Sequence, residues 1–467
     1  MTPRNAEVVI VGAGIAGIAV AHALAVTHGI RDVVLVDERP PLTLTSDKST
    51  EAYRNWWPGP DDAMVRCMNR SIDLLESWAV ASGNRFLLNR RGYVYATRSP
   101  ETAARFLADA EQAEAQGAGP LRTYRSVGEA SAYRPSAHTG FDDHPRGADL
   151  FLDRAAIRAH FGFLADDLVA VLHARRCGWL SGQQLGMTLL EEARHAGVAL
   201  VTGRVEAVET AAGRVAQVHV MTLADGPLTI AAPVCVNAAG PFARQVGALM
   251  GASLPLFSER HLKVSFEDVL GAVDRNTGLV ILDDPQTLAW SAEERALFAE
   301  DPTTRWLTEL LPAGIHLRPD GYHGSRTVLM LWDYHGDERY ETPEFPLPPD
   351  DAYGEVVMRG MTALVPALGA YVDRLPPLWI DGGYYTKTAE NRPLVGAMPV
   401  PGSFVAAGFS GFGIMAAPAA AELLAAQLVG AALPPGAEAY AAAFAPNRYD
   451  DPAYRARVAA WGATGQL

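Results

Sequence analysis

A glycine-rich turn between two hydrophobic strands constrains this chain more than any other feature. Gly12-Ala13-Gly14-Ile15-Ala16-Gly17 follows a strand predicted over Glu7–Val11 and opens a helix predicted over Ile15–His28. Arg31–Asp37 then returns as a second hydrophobic strand. A strand, a helix and a second strand in this order form a βαβ unit, and such units build parallel sheets. The sequence therefore predicts an α/β fold of the Rossmann type at the N-terminus.

Each part of this turn has a physical role in binding a dinucleotide. Gly12 permits the tight turn, Gly14 lets the backbone approach a pyrophosphate, and Gly17 lets the helix pack closely on the strand. Free N–H groups and the helix dipole at Ile15 and Ala16 favour negative charge there. The second strand ends at an acidic residue that is placed to accept hydrogen bonds from a ribose, with two charged residues after it: Asp37, Glu38 and Arg39.

Length, charge and cysteine content narrow the class of protein. A chain of 467 residues is long enough for two to three domains, and its net charge of −14 disfavours nucleic acid and anionic membranes as partners. It has no apolar run of about eighteen residues that would predict a membrane span. Its N-terminal stretch is not typical of a signal peptide. The three cysteines, Cys67, Cys177 and Cys235, are far apart. We therefore expect a cytoplasmic protein without disulfides or a metal site.

Three further stretches follow the fingerprint, which itself ends in Val36–Arg39. They are Thr45–Thr50 running on to Arg54, then Cys235–Pro241, then Thr388–Gly396 followed by Gly408–Ile414. In this order the four stretches resemble the D-amino-acid oxidase, sarcosine oxidase and glycine oxidase superfamily, the DAO-type flavin amine oxidoreductases. The resemblance implies FAD as the cofactor and oxidation of the carbon–nitrogen bond of an amine or amino acid. It spans nearly the whole chain.

The same resemblance assigns cofactor contacts beyond the fingerprint. They are Ser46, Lys48, Ser49, Thr50, Val205, Ala239, Gly240, Gly383, Gly411, Phe412, Gly413 and Ile414. A helix predicted over Ile414–Leu428 would point its N-terminus at the flavin, where its dipole stabilises negative charge. Gly383 occupies the position of the cysteine that carries the flavin in thioether-linked relatives. The resemblance therefore implies non-covalent FAD.

We predict an α/β fold, α+β overall, in which a Rossmann-type FAD-binding domain is interleaved with a β-rich substrate domain. The FAD-binding domain takes three segments, residues 1–85, 151–245 and 381–467. The substrate domain takes residues 86–150 and the proline- and tryptophan-rich stretch 246–380. No internal repeat or flexible linker separates these segments.

Substrate contacts follow from the family pattern and its departures. Arg54, eight residues after Ser46, matches an arginine that pairs with the substrate carboxylate in relatives, and a guanidinium suits that role. A lysine that activates oxygen above the flavin in relatives aligns with Met330, which favours a dehydrogenase over an oxidase. Met415 aligns with a second carboxylate-binding lysine. Lys48 is the candidate to supply the missing charge. Further candidate contacts are aromatic residues or histidines: Trp56, Trp57, Tyr322, His323, Tyr334 and His335.

Other functions stay open at this stage. A flavin-dependent desaturase would use the same hydride transfer, and a monooxygenase would share the first motif. A non-catalytic flavin-binding subunit would hold a flavin that no amine reduces. The sequence predicts a small-molecule partner and oxygen or another electron acceptor, and it leaves homo-oligomer formation undecided.

Overall fold

Two large sheets, each covered by helices, organise the chain in a computed structural model that describes residues 4–142, 144–321, 324–335 and 338–461. The strands are β1 (Arg4–Asn5), β2 (Val8–Val11), β3 (Val33–Asp37), β4 (Ala52–Arg54), β5 (Tyr93–Thr97), β6 (Leu121–Tyr124), β7 (Ala148–Phe151), β8 (Ala170–Ala174), β9 (Cys177–Trp179), β10 (Ala199–Ala211), β11 (Arg214–Thr222), β12 (Gly226–Ala231), β13 (Val234–Asn237), β14 (Phe257–Glu267), β15 (Leu279–Leu282), β16 (Ile315–Pro319), β17 (Thr327–Leu331), β18 (Arg339–Tyr340), β19 (Trp379–Lys387), β20 (Leu394–Ala397) and β21 (Ser403–Ala407). The helices are α1 (Ile15–His22), α2 (Thr45–Lys48), α3 (Ala63–Ser82), α4 (Pro100–Ala115), α5 (Val127–Ala130), α6 (Arg154–His160), α7 (Gly182–His195), α8 (Ala243–Leu249), α9 (Ala292–Glu300), α10 (Tyr353–Met361), α11 (Gly413–Val429), α12 (Glu438–Phe444) and α13 (Pro452–Trp461).

The first sheet has the strand order β1-β12-β11-β10-β3-β2-β13-β21-β20. Strands β10, β3, β2, β13 and β21 run parallel to one another at its centre. Strands β2 and β3 are almost entirely hydrophobic because both faces of the sheet are buried there. Helices α1, α3, α7 and α11 pack together on one face. Gly12 turns the chain from β2 into α1 with φ +108°, and a Cβ there would overlap the Ala238 carbonyl oxygen, so only glycine fits this turn.

The second sheet is mixed, with the order β18-β14-β17-β16-β15-β5-β8-β7-β6 and with β19 paired to β14. One face of β14 and β17 is apolar, because Val264 and Met330 are directly paired and both lie in the hydrophobic core under α10. The opposite face of β14 carries Glu259, His261 and Lys263, two residues apart. The sheet therefore has one core face and one polar face.

The predicted fold class, a Rossmann-type domain interleaved with a β-rich domain, is confirmed. The chain passes from the first sheet to the second and back twice, at β5, β10, β14 and β20. The sheets divide the chain at different residues from the predicted segments. Strand β8 pairs with β5 and β7 in the second sheet, although the segment 151–245 was assigned to the first domain. Helix α1 also ends earlier than predicted, and a π-helical turn, Ala23–Thr27, follows it.

Within the described part of the chain, no helix combines the length and the apolar character that crossing a membrane requires.

Candidate active site

A cavity lies at the carboxyl ends of the parallel strands β2, β3 and β13, where open α/β sheets bind ligands. Twelve residues predicted to bind the cofactor line it, although they come from widely separated segments. They are Gly12, Gly14, Ile15, Ala16, Asp37, Ser46, Ser49, Ala239, Gly240, Gly411, Gly413 and Ile414. The fold therefore brings the four predicted stretches into one wall.

Hydrogen bonds at the N-terminus of α1 fix the residues that line this cavity. The Ile15 N–H donates to the Ser46 hydroxyl at 3.0 Å, and Asp37 accepts from the N–H groups of Ala13 (2.7 Å) and Arg39 (2.9 Å). Burial raises the pKa of Asp37, and the two N–H groups oppose this shift. Gly14 faces the cavity without a side chain. This arrangement fits a diphosphate at the helix end and a ribose at Asp37.

Some predicted cofactor residues lie outside this cavity. Gly17 is a packing residue, because a Cβ there would overlap the Gly12 carbonyl oxygen. Glu38 and Arg39 are partly exposed and lie 3.6 Å apart as an ion pair. The side chain of Val205 lies in the core, three residues beyond Thr202, which pairs with Asp37. These positions border the Asp37 end of the cavity, and their contact with the cofactor stays a prediction.

A second cavity adjoins the first and shares Ser49, Ser410, Gly411 and Ile414 with it. The predicted residues Thr50, Arg54, Phe412 and Met415 also line it. The remaining lining residues are Ala52, Tyr93, His261, Gly314, His316, Leu331, Asp333 and Tyr385. The small sheet of β4 and β9 thus supplies one part of the wall, and the polar face of the second sheet supplies another.

Arg54 is the buried cation of this second cavity. It is 6% exposed, and its Nη1 donates to the Tyr95 hydroxyl at 2.9 Å. The guanidinium lies 4.5 Å from the Trp57 ring centroid, and Trp57 packs edge-on against Phe412. A planar guanidinium held in this way is oriented to pair with a carboxylate.

The model of the FAD-dependent oxidoreductase family DAO matches residues 7–427. The chain belongs to the DAO family. It is therefore a flavoprotein oxidoreductase that binds FAD, and the predictions of family and cofactor are confirmed.

Solved structures of other flavoproteins share this architecture along the whole chain. L-proline dehydrogenase from P. horikoshii is 20% identical with a TM-score of 0.70, over 96% of this chain and 99% of that one. Glycine oxidase from Geobacillus kaustophilus is 17% identical with a TM-score of 0.67, over 92% and 96%. Iminodiacetate oxidase from Chelativorans sp. BNC1 is 18% identical with a TM-score of 0.65, over 91% and 96%. At these identities the similarity shows the fold. A comparison with curated protein sequences gives no match.

Lys48 and Gly383 lie together at the edge of the DAO-family site. Gly383 packs against Lys48, since a Cβ there would lie 3.0 Å from the lysine Cβ. The Lys48 ammonium lies 2.8 Å from Asp381 and 3.1 Å from Asp47, in a neighbouring open cleft. Lys48 is therefore neutralised by two carboxylates and does not line the second cavity, which corrects the expectation that it supplies charge there.

Met330 does not lie at the flavin-facing surface, which corrects the second expectation. Its side chain is fully buried in the core of the second sheet, beside Val264. Because side chains alternate along a strand, the cavity-facing neighbour is Leu331. The absence of a lysine at residue 330 therefore says nothing about the reaction with oxygen.

The aromatic predictions are corrected in part. Trp56 is buried in the core, whereas its neighbour Trp57 supports Arg54. The Tyr334 hydroxyl donates to Asp350 at 2.7 Å, and His335 Nε2 lies 2.9 Å from the same carboxylate, so both lie outside the two cavities. Tyr322 and His323 fall outside the described residues.

A polar wall built by β14, β17 and β19 was not predicted from the sequence. His261 Nε2 lies 3.6 Å from Asp333 Oδ2 and 3.7 Å from Glu259 Oε2, and its ring stacks on Tyr385 with centroids 3.9 Å apart. Lys387 pairs with Glu259 at 2.5 Å. The alternation of polar and apolar residues along β14 was the available signal, because it predicts a polar strand face.

Two cations of the second sheet hold the loop that carries Ser46, Ser49 and Thr50. Lys263 Nζ donates to the carbonyl oxygens of Asp47 (2.9 Å) and Ser49 (3.2 Å), and Arg318 Nε donates to that of Thr50 (2.9 Å). Burial lowers the pKa of Lys263. Glu51 ends this loop, and burial raises its pKa to about 7 despite the nearby Arg318 and Lys263. The loop is therefore fixed by the second domain.

Proposed function

We propose that this flavoprotein oxidises the carbon–nitrogen bond of an amino acid or a related amino carboxylate. The observation that carries the proposal is the position of Arg54, a buried guanidinium in a cavity that opens into the FAD cavity. Such a group pairs with a carboxylate through two parallel hydrogen bonds. The similar structures, a proline dehydrogenase, a glycine oxidase and an iminodiacetate oxidase, support the same substrate class.

The residues of the chain bind and orient the substrate. Bound FAD supplies the acceptor for a hydride from the carbon next to the nitrogen. Arg54 anchors the carboxylate, and Trp57 with Phe412 fixes the guanidinium. Tyr93, Leu331 and Met415 line the cavity and leave little room for water beside the substrate. Orientation of this kind lowers the barrier because the reacting atoms no longer have to meet by diffusion.

We also propose that FAD is bound without a covalent link. Gly383 stands where thioether-linked relatives have cysteine, and the three cysteines are buried on α3, β9 and β13. Acid precipitation should leave all of the flavin in the supernatant; flavin that stays with the precipitated protein contradicts the proposal.

The test is anaerobic reduction of the protein-bound flavin by a panel of amino acids and N-methyl amino acids. We expect bleaching of the flavin absorbance by at least one of them without nicotinamide. Arg54→Met should raise the Kd for that substrate by about 10- to 100-fold, the equivalent of a charged hydrogen bond. Arg85→Met is the matched control, because Arg85 is exposed and forms an ion pair with the equally exposed Glu191. Readmitting air then shows whether oxygen accepts the electrons.

The same anaerobic reduction experiment distinguishes two alternative functions. Bleaching only by NADPH would favour a monooxygenase. A flavin that neither amines nor NADPH reduce would favour a non-catalytic subunit, and either result would overturn the proposal.

A further inference from the structure

We propose that Asp333, with His261 beside it, receives the ammonium group of the substrate and accepts its proton, so that the cavity takes amino acids as zwitterions. This inference rests on the proposed function and adds a proton acceptor to it.

The first argument is the distribution of charge around the second cavity. Among the described residues that line it, Arg54 is the arginine and Asp333 is the carboxylate. They come from different elements, Arg54 from β4 and Asp333 from the end of β17. An amino acid at neutral pH carries one carboxylate and one ammonium. The charges of Arg54 and Asp333 are complementary to these two charges of the substrate.

The second argument is that Asp333 keeps its capacity to accept hydrogen bonds. Among the described residues, its neighbour within ion-pair distance is His261, whose Nε2 is 3.6 Å away, which is longer than a hydrogen bond. The side chain of Asp333 is 24% exposed, and Asp333 lines the second cavity. An ammonium in the cavity would therefore meet a carboxylate with open acceptor positions.

The third argument concerns the other titratable groups that face Asp333. On β14, Glu259 is neutralised by Lys387 of β19 at 2.5 Å. Burial lowers the pKa of His316 on β16 to about 4, so it is neutral at pH 7. Burial also raises the pKa values of Tyr385 on β19 and Tyr353 on α10, which keeps both neutral. Asp333 and His261 are thus the polar side chains of this wall that remain to face the substrate nitrogen.

The same cluster has the composition of a metal site, because ligand atoms of Glu259, His261 and Asp333 lie within 4.8 Å of one another. Lys387 already places a positive charge against the Glu259 oxygen that a metal would need. This contact favours the organic ammonium over a metal ion.

The chemical step balances in protons and electrons. One N–H bond of the ammonium breaks, its proton goes to the Asp333 carboxylate, and the electron pair stays on nitrogen. The adjacent C–H bond then breaks, and its hydrogen leaves with both electrons to the bound FAD, the oxidant. The nitrogen pair forms the C=N bond. Positioned proton acceptors contribute about 10²- to 10⁴-fold to such reactions.

The first test measures protons and does not depend on turnover. The probe is 2-aminoisobutyrate, which has no hydrogen on its α carbon, and its binding is followed by calorimetry at pH 7 in buffers of different ionisation enthalpy. Wild type should release no proton, because the complex retains the one carried by the ammonium. Asp333→Asn should release about one proton, since only the neutral amine can then bind. Release of one proton by wild type overturns the inference.

The second test is the pH profile of anaerobic flavin reduction, which also applies if the probe does not bind. For Asp333→Asn, the rate constant of flavin reduction divided by Kd should fall about tenfold for each pH unit below the pKa of the substrate amine. Wild type and Asp333→Glu should show a flatter profile at neutral pH. The control Glu267→Gln removes an exposed carboxylate from β14 and should behave as wild type.

The two proposals fail in different ways. If no amino acid reduces the flavin at any pH, the proposed function fails. If amino acids reduce it and Asp333→Asn keeps the wild-type profile, only the assignment of Asp333 fails. If Asp333→Asn does not fold, the wild-type proton count still decides.

Discussion

At the scale of single residues, the glycines of the fingerprint separate folding from cofactor binding. A Cβ on Gly17 would overlap the Gly12 carbonyl oxygen, whereas a Cβ on Gly14 meets only the Ser46 hydroxyl, at 3.2 Å. Gly17→Ala should therefore lower the free energy of unfolding by about 1–3 kcal/mol. Gly14→Ala should keep the wild-type stability without FAD and weaken FAD binding at least about tenfold, since the methyl group occupies the diphosphate approach.

Urea unfolding of the apoprotein and titration with FAD measure the two effects separately. Wild-type FAD affinity in Gly14→Ala would contradict the placement of the diphosphate at α1. These roles could be predicted from sequence because the glycines lie within one six-residue motif and each acts on its immediate surroundings. The role of Asp333 could not, because it depends on which residues of β14 and β17 are paired.

At the scale of elements, the loop after α2 carries a glutamate whose pKa is changed by its surroundings, which include residues of the second sheet. Glu51 ends this loop and is half-buried, and desolvation raises its pKa from the usual 4.5 to about 7. Between these values the folded protein holds a proton that the unfolded chain has lost. Stability therefore falls as pH rises from about 4.5 to 7 and is constant above this range. Over this range the free energy of unfolding falls by at most about 3 kcal/mol.

Glu51→Gln removes the loss of stability that ionisation of Glu51 causes. The variant should be more stable than wild type by up to about 3 kcal/mol at pH 8 and by less than about 1 kcal/mol at pH 5. Urea unfolding at both pH values measures the difference, with Glu267→Gln as the exposed control. An equal difference at the two pH values would show that Glu51 does not titrate in this range.

Strand register marks the limit of prediction at this scale. The helices and the parallel strands were predictable because hydrophobic runs and caps are local signals. Aligning Leu329–Leu331 with a family motif placed Met330 at the flavin, but a shift of one residue moves a side chain to the other face of a sheet. The pairing of Met330 with Val264 puts it in the core.

At the scale of the whole molecule, the two domains are interlocked. The chain enters the second sheet twice and returns to the first sheet twice. Lys263 and Arg318 also bind carbonyl oxygens of the loop that carries the cofactor residues Ser49 and Thr50. Neither domain is one continuous segment, so separating them leaves each without part of its core. Sequence motifs indicated the interleaving but not these contacts, which join residues more than two hundred positions apart.

Unfolding should therefore be a single transition in which FAD release and loss of both sheets coincide. Multidomain proteins often unfold in steps, but here the second sheet holds the flavin loop directly. FAD binds only the folded protein, so a free concentration one hundred times Kd should add about 2.7 kcal/mol to the free energy of unfolding. Far-UV circular dichroism, tryptophan fluorescence and flavin fluorescence in one urea titration test this. An early transition that releases flavin while part of the circular dichroism signal persists would show that the domains unfold independently. Lys263→Met removes two of the loop contacts. If the two domains unfold in one transition, it should shift all three signals together to lower urea concentrations.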